Sequence, residues 1–183
     1  MSKDRTEPSV TIDIAERSAA WRGALPRRRA ICRTAALTTL ATVPSWAPPE
    51  AGVELSVVLG DDALLRRLNR QWRGQDKPTN VLAFPTADGG PAAVDSQPGA
   101  PLLLGDVVLA FGTVADEAVA QGKALADHFT HLVVHGVLHL LGFDHEEAAA
   151  AMRMEALETA VLARLGIADP YRPGAGLLEA RHG

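Results

Sequence analysis

Alternation of hydrophobic and polar residues marks four short strands in the chain. Val10, Ile12 and Ile14 alternate with polar residues, which is the period-two pattern of a half-buried strand. Apolar, β-branched segments predict three further strands at 53–59, 79–84 and 102–111. Gly105–Asp106, inside the last segment, marks the position where we expect a bulge.

Helical periodicity fills the remaining regular segments. Prolines follow the first helical segment and stop it, while Asp61 and Asp62 precede the second and can cap it. After the fourth strand the pattern becomes almost entirely helical. The predicted helices are 28–43, 62–71, 113–121, 125–141 and 146–165.

Strands and helices are interspersed, which predicts an α/β (α+β) fold with a small mixed sheet of about four strands covered by about five helices. At 183 residues the chain has the length of one domain. We expect that domain to span 1–168. Residues 86–101, rich in Gly, Pro and Ala, predict an exposed loop, and 169–183 predict a flexible C-terminal tail.

Charge is distributed unevenly along the chain. The formal net charge is −4, but residues 1–87 carry thirteen basic and nine acidic side chains, whereas residues 88–183 carry five basic and thirteen acidic ones. The net charge predicts weak non-specific affinity for nucleic acid. The basic first half still permits local contacts with a polyanion.

Cysteine content and hydropathy restrict the class of protein. The single cysteine, Cys32, excludes an intrachain disulfide and a zinc site built from cysteines, and we expect it to be a buried small apolar residue. No apolar run reaches the roughly 18 residues of a membrane span. The segment 27–47 resembles a signal peptide but lies too far into the chain and is interrupted by threonines. These features predict a cytoplasmic protein without a membrane partner.

The strongest chemical signal is a cluster of three histidines within eleven residues. His135 and His139 are four positions apart, so a helix presents both from one face. Gly142 can end that helix in a left-handed conformation, after which His145 returns as a third ligand. Three imidazoles favour zinc and leave a coordination position open, which is typical of a catalytic site.

The spacing of these histidines is also that of metzincin proteases. Those enzymes place a glutamate general base directly after the first histidine, where this chain has Gly136, so the sequence disfavours a protease. Asp144 either orients a metal ligand or caps the last helix together with Glu147. His131 either lines the site or is a partly exposed helix residue, and we expect His128 and His182 at the surface.

A second segment, 68–85, combines a helix end, a charged glycine-containing turn and a strand. Arg73 and Lys77 at such a turn can hold phosphate. Taken alone, this pattern does not distinguish a phosphate site from an ordinary charged turn.

Together the two segments resemble the YbeY (UPF0054) family of bacterial metal-dependent endoribonucleases. The family pattern HGxLHLxGxDH fits His135–His145 at every fixed position, and the pattern LNxxYRxxDxPTxVLSFP is followed closely by Leu68–Pro85. The resemblance extends from about Val10 to Gly166. The segment departs from the pattern at Trp72, Gln75 and Ala83, where the family often has Tyr, Lys and Ser.

The resemblance implies a zinc-dependent, single-strand-specific endoribonuclease of rRNA processing (16S rRNA 3′-end maturation) and ribosome quality control. It implies one Zn²⁺ per chain held by His135, His139 and His145, and a catalytic Arg73 in the cleft. Arg70 and Lys77, with Arg66 and Arg67, are expected to guide the RNA backbone. The implied partners are single-stranded rRNA and the ribosome or its proteins, with no small organic cofactor.

Two other functions remain open from the sequence. One is a non-catalytic, zinc-containing ribosome-assembly factor, in which the metal holds the fold. The other is a metal hydrolase acting on a peptide or a small phosphoester. The sequence also leaves open the general base, and whether water or the ribose 2′-hydroxyl attacks the phosphate.

Overall fold

Four strands form one mixed sheet in the computed structural model, which describes residues 8–44, 46–88, 90–91 and 97–172. The spatial order is β1-β2-β4-β3. β1 pairs in parallel with β2 and β2 with β4, whereas β3 runs antiparallel to β4. The predicted four-stranded mixed sheet is therefore confirmed. The strands are β1 (Val10–Glu16), β2 (Val53–Gly60), β3 (Val81–Pro85) and β4 (Leu102–Ala110).

The described residues form six helices, of which the pattern predicted five. The additional helix is a single turn that follows β1 and is too short to show a hydrophobic period. The helices are α1 (Ala20–Ala24), α2 (Arg28–Thr42), α3 (Asp62–Arg73), α4 (Phe111–Ala120), α5 (Leu125–Leu140) and α6 (Ala148–Arg164). None of those described is long and apolar enough to cross a membrane.

One face of the sheet carries the main hydrophobic core. Every second residue of β2, from Val53 to Leu59, is buried there, as expected from the alternation of side chains along a strand. α5 lies at the centre of this layer and packs against α2, α6 and the strands β3 and β4. Cys32 of α2 is completely buried, and burial raises the pKa of its thiol to about 12, so it is an apolar core residue as predicted.

The opposite face of the sheet is covered by α3 over β3 and β4. Leu65 of α3 packs there with Leu82, Val108 and Ala110 in a smaller buried cluster. The register between β2 and β4 shifts at Glu54/Leu55, so β4 contains the expected bulge beside Gly105. β3 is one of the two edge strands, with α5 on one of its faces and α3 on the other.

Candidate metal centre

The three predicted ligands converge at the C-terminal end of α5. His135 and His139 lie one turn apart, and their Nε2 atoms are 3.0 Å from each other. His145 returns from the following turn, and the candidate ligand atoms of the three histidines all lie within 4.8 Å of one another. No other group of three or more His, Cys, Asp or Glu side chains in the described part of the chain meets that criterion.

The turn after α5 brings His145 back as predicted. Gly142 adopts a left-handed conformation with a φ of 90°, which glycine tolerates best. The Asp144 carboxylate accepts hydrogen bonds from the backbone N–H groups of His145 at 2.6 Å and Glu146 at 3.1 Å. Of the two roles left open for Asp144, the cap on the last helix is wrong, because α6 begins at Ala148 and its N-cap, Glu147, makes no side-chain capping bond. Asp144 shapes the turn that carries His145.

Gly136, the residue after the first histidine, packs so closely against β4 that no side chain fits there. A Cβ atom at this position would lie 2.5 Å from Cγ1 of Val107, a residue of β4 with a fully buried side chain. Any larger side chain would push α5 away from the sheet. The glutamate of a metzincin protease therefore does not fit here, which supports the argument against a protease.

Glu158 of α6 fixes the orientation of His135. Its carboxylate is buried and accepts a hydrogen bond from Nδ1 of His135. Because a carboxylate can only accept, Nδ1 carries the proton and Nε2 keeps its lone pair directed at His139 and the cleft. An outer-shell carboxylate of this kind is the usual partner of a metal-binding histidine.

Two further side chains hold Glu158 in place. Tyr171 donates its hydroxyl hydrogen to the carboxylate, and Nε2 of His131 lies 3.4 Å from Oε2. Burial raises the pKa of Glu158, but the contacts with His131, His135 and Tyr171 outweigh it and lower the pKa to about 2. His131 thus faces Glu158 and is absent from the lining of the histidine cleft.

Residues 173–183 lie outside the described part of the chain, so the flexible C-terminal tail stays a prediction.

His128 is buried, and the expectation that it lies at the surface is wrong. Its Nε2 lies 2.8 Å from Oε2 of Glu117. Burial lowers the pKa of His128, with the Glu117 contact partly opposing that shift. Glu117 also accepts hydrogen bonds from Nδ2 of Asn80 at 3.0 and 3.2 Å. This contact fixes Asn80, which lines the cleft. His182 lies outside the described residues.

The histidines open into a cleft of about 160 Å³ that also contains Arg73. Arg73 is the last residue of α3, and Gly74 ends that helix in a left-handed conformation. Within the described residues, the Arg73 guanidinium makes no ion pair, which leaves it available to an anion. The lining residues are Arg73, Thr79, Asn80, Val81, Ala83, His135, Gly136, His139 and His145.

The other predicted cations are outside the lining of this cleft. Arg70 and Lys77 are exposed, near the end of α3 and in the following turn. Arg66 is bound to the Asp76 carboxylate at 2.8 and 3.1 Å. The structure therefore brings Arg73, but not Arg70 or Lys77, together with the histidines.

The donor set fits a divalent metal ion. Burial, followed by the neighbouring His135, lowers the pKa of His139 to about 4, so its imidazole is neutral at physiological pH and can ligate. His135 has its second nitrogen occupied by Glu158 and offers Nε2. Three imidazoles that face one another favour a cation of the zinc, copper or nickel type over calcium or magnesium.

A family model decides the classification. The model described as Endoribonuclease YbeY matches residues 29–166, a range that contains the three histidines, Arg73 and Glu158. The chain belongs to the YbeY family. The match confirms the resemblance that the two sequence motifs indicated.

Similar proteins named Endoribonuclease YbeY come from several bacteria. The one from Paramagnetospirillum magneticum is 57% identical over 89% of this chain and 98% of its own length. The Rhodospirillum rubrum protein is 47% identical over 93% of this chain and 86% of its own. The one from Azorhizobium caulinodans is 49% identical over 88% and 96%. The YbeY similarity thus covers nearly the whole of these relatives and includes both motifs.

Sequence reasoning missed Glu158, Tyr171, Asn80 and Glu117 as parts of the YbeY site. Glu158 lies within a helical pattern like any exposed glutamate, and Tyr171 lies in the segment expected to be loose. Asn80 lies within the second motif, at a position where the family pattern fixes no residue. Its link to Glu117, which also contacts the buried His128, would have required knowing that the residue before β3 lies beside α4 and α5.

Glu158→Gln is expected to lower the affinity for Zn²⁺ by about 10- to 100-fold, the usual effect of removing an outer-shell partner. The amide keeps the side-chain volume but loses the charge that holds the Nδ1 proton of His135. Competition with a chromophoric chelator measures the affinity. Glu155→Gln, an exposed position one turn earlier on α6, is the matched control and should bind like the wild type. Equal affinities in both variants would contradict the role of Glu158.

Proposed function

We propose that the protein is a zinc-dependent, single-strand-specific endoribonuclease that acts in rRNA processing, at the 3′ end of 16S rRNA, and in ribosome quality control. The observation that carries the proposal is the convergence of three histidines and Arg73 in one cleft. It occurs in a chain of the YbeY family, whose model and relatives carry the name endoribonuclease.

Zinc is the proposed metal because the three ligands are imidazoles and the described residues offer no fourth one at the cluster. His135, His139 and His145 would hold the ion, one per chain. When bound, zinc supplies a Lewis acid that polarises a phosphoryl oxygen. The set of three protein ligands favours a catalytic site over a closed structural one, and therefore an enzyme over a metal-stabilised assembly factor.

Arg73 is the proposed catalytic cation. Its guanidinium shares the cleft with the histidines and has no carboxylate partner among the described residues, so it can contact a phosphodiester held there. A guanidinium offers two parallel N–H donors to two phosphate oxygens. It would stabilise the negative charge that grows on the phosphate during cleavage.

Arg70 and Lys77 are proposed to bind the RNA backbone on either side of the reacting phosphate. Both are exposed, flank Arg73 in the chain and lack an ion pair within the described residues. Arg66 is a weaker candidate because Asp76 already neutralises it. Because these cations can make only a few phosphate contacts, we expect a modest affinity for RNA that falls as the salt concentration rises. That expectation is consistent with the net charge of −4.

Single-stranded rRNA and the ribosome or its proteins are the proposed partners, without a small organic cofactor. The proposed compartment is the cytoplasm, where ribosomes assemble. The buried, unpaired Cys32 is consistent with a reducing compartment.

Cleavage of precursor rRNA by the purified protein tests the proposal. We expect cuts in single-stranded segments near the 3′ end of 16S rRNA, and none after removal of the metal by a chelator. A 2′-deoxy substitution at the cut site then identifies the nucleophile. Cleavage is lost if the ribose 2′-hydroxyl attacks and persists if water attacks. RNA that is bound but never cut would contradict the enzyme and favour the assembly factor.

A further inference from the structure

Trp72, the residue before Arg73, exposes most of its indole. Its side chain is 64% exposed, whereas Trp21 is completely buried and donates its indole N–H to the Gly60 carbonyl at 2.8 Å. Trp46 is half-buried against the core. An indole is a large apolar surface, and an exposed one at the border of a cleft indicates a contact surface more often than an isolated surface leucine does.

The indole is held by one neighbouring ring. The ring centroids of Trp72 and Phe84 are 6.0 Å apart and the ring planes cross at 61°. Phe84 itself is half-buried and packs on the small cluster between α3 and the sheet. Trp72 is therefore supported from one side, and its remaining surface faces solvent. We call the two rings the Trp72–Phe84 platform.

The platform borders the metal cleft. Trp72 precedes Arg73 on α3 and Phe84 follows Ala83 on β3, and both Arg73 and Ala83 line the cleft. Because side chains alternate along a strand, Phe84 lies on the opposite face of the edge strand from Ala83. A strand of nucleic acid with a phosphate at Arg73 would pass over the edge of β3 to reach the platform.

The charges around the platform suit an anionic polymer. Arg70 and Arg73 lie on the same helix end and Lys77 in the next turn, all exposed and without an ion pair in the described residues. Aromatic rings interleaved with cations are the usual means of binding single-stranded nucleic acid, in which the cations contact phosphates and the rings stack on bases.

We propose that the Trp72–Phe84 platform is a stacking subsite for one base of the RNA, next to the phosphate that is cleaved. The inference rests on the proposed function and adds to it a reason for acting on single strands. A base inside a duplex is stacked and paired, so only an unpaired base can lie on the indole. The platform recognises the flat face of a base and selects no particular sequence.

The first test is the kinetics of Trp72→Ala with a single-stranded RNA. We expect KM to rise by roughly 5- to 150-fold, the range that stacking on an aromatic ring contributes, with little change in kcat. Trp72→Phe should restore most of the loss because it keeps an aromatic face. Leu37→Ala, which removes an exposed apolar side chain on α2, is the control and should have no effect. Thermal unfolding of each variant checks that the fold is intact.

The second test identifies which base of the RNA lies on the Trp72–Phe84 platform. A set of 2′-O-methyl RNAs, each lacking the base at one position beside the cut site, is titrated against the metal-loaded protein by fluorescence anisotropy. Removal of the base at one position should weaken binding to the wild-type protein as much as Trp72→Ala does. The same RNA should bind the Trp72→Ala variant no more weakly than the intact RNA does. Additive losses at every position, or an unchanged KM in Trp72→Ala while the wild type cleaves RNA, would overturn the stacking subsite. Failure of the wild type to cleave any RNA would instead contradict the proposed function.

Discussion

His139→Ala is expected to reduce bound zinc from about one ion per chain to almost none, and RNA cleavage to the background rate. His139 lies at the centre of the proposed ligand set, because its Nε2 faces Nε2 of His135 at 3.0 Å and its ring contacts that of His145, with centroids 5.0 Å apart. Two remaining imidazoles cannot supply the three-ligand set of a catalytic site. Metal content measured by atomic emission on the purified variant, beside cleavage of precursor rRNA, provides both readouts.

His182→Ala is the control for this loss, since it removes a histidine outside the motif and should keep both zinc and activity. Circular dichroism should show the same helix content in the His139 variant as in the wild type, because the core of α5 is built from apolar residues such as Val133, Val137 and Leu138. A His139→Ala protein that retains one zinc, or cleaves RNA at the wild-type rate, would refute the metal centre.

The sequence predicts this centre well because its parts are local. His135, His139 and His145 are held by one helix and one glycine turn, so regular helix geometry determines their arrangement without knowledge of the rest of the fold. Glu158 is different. It reaches His135 only because α6 packs against α5, a tertiary contact that no periodicity within α6 reveals.

The two wrong predictions, for His128 and for the helix cap, also depended on contacts that local patterns do not reveal. A polar residue on a helix is usually exposed, and the sequence therefore predicts His128 at the surface. The structure buries it against Glu117, which comes from α4. Asp144 and Glu147 have the spacing of a capping box, but the chain needs that aspartate to shape the turn before His145, and α6 begins later. Local patterns therefore predicted the sheet, the long helices and the cluster of three histidines, whereas the contacts between helices could be found only in the structure.

Arg73→Ala is expected to lower kcat for RNA cleavage by about 10²- to 10³-fold, the usual effect of removing one donor to the charge that develops in the transition state. Zinc content should stay at the wild-type level, because Arg73 lies on α3 and contacts none of the three ligands through a hydrogen bond. That combination would distinguish Arg73 from His139, whose loss is expected to remove both metal and activity. Single-turnover cleavage at saturating enzyme isolates the chemical step from RNA binding.

Arg66→Ala is the matched control, an arginine on the same helix whose charge is already neutralised by Asp76 at 2.8 Å, and it should change kcat little. Arg73→Lys should fall between Arg73→Ala and the wild type, because an ammonium keeps the charge but loses the paired N–H donors of a guanidinium. If Arg73→Ala raised KM alone and left the single-turnover rate unchanged, Arg73 would bind substrate without stabilising the transition state. Arg73 would then bind the RNA backbone, as proposed for Arg70 and Lys77. Stabilisation of the charge that develops on the phosphate would depend on the metal alone.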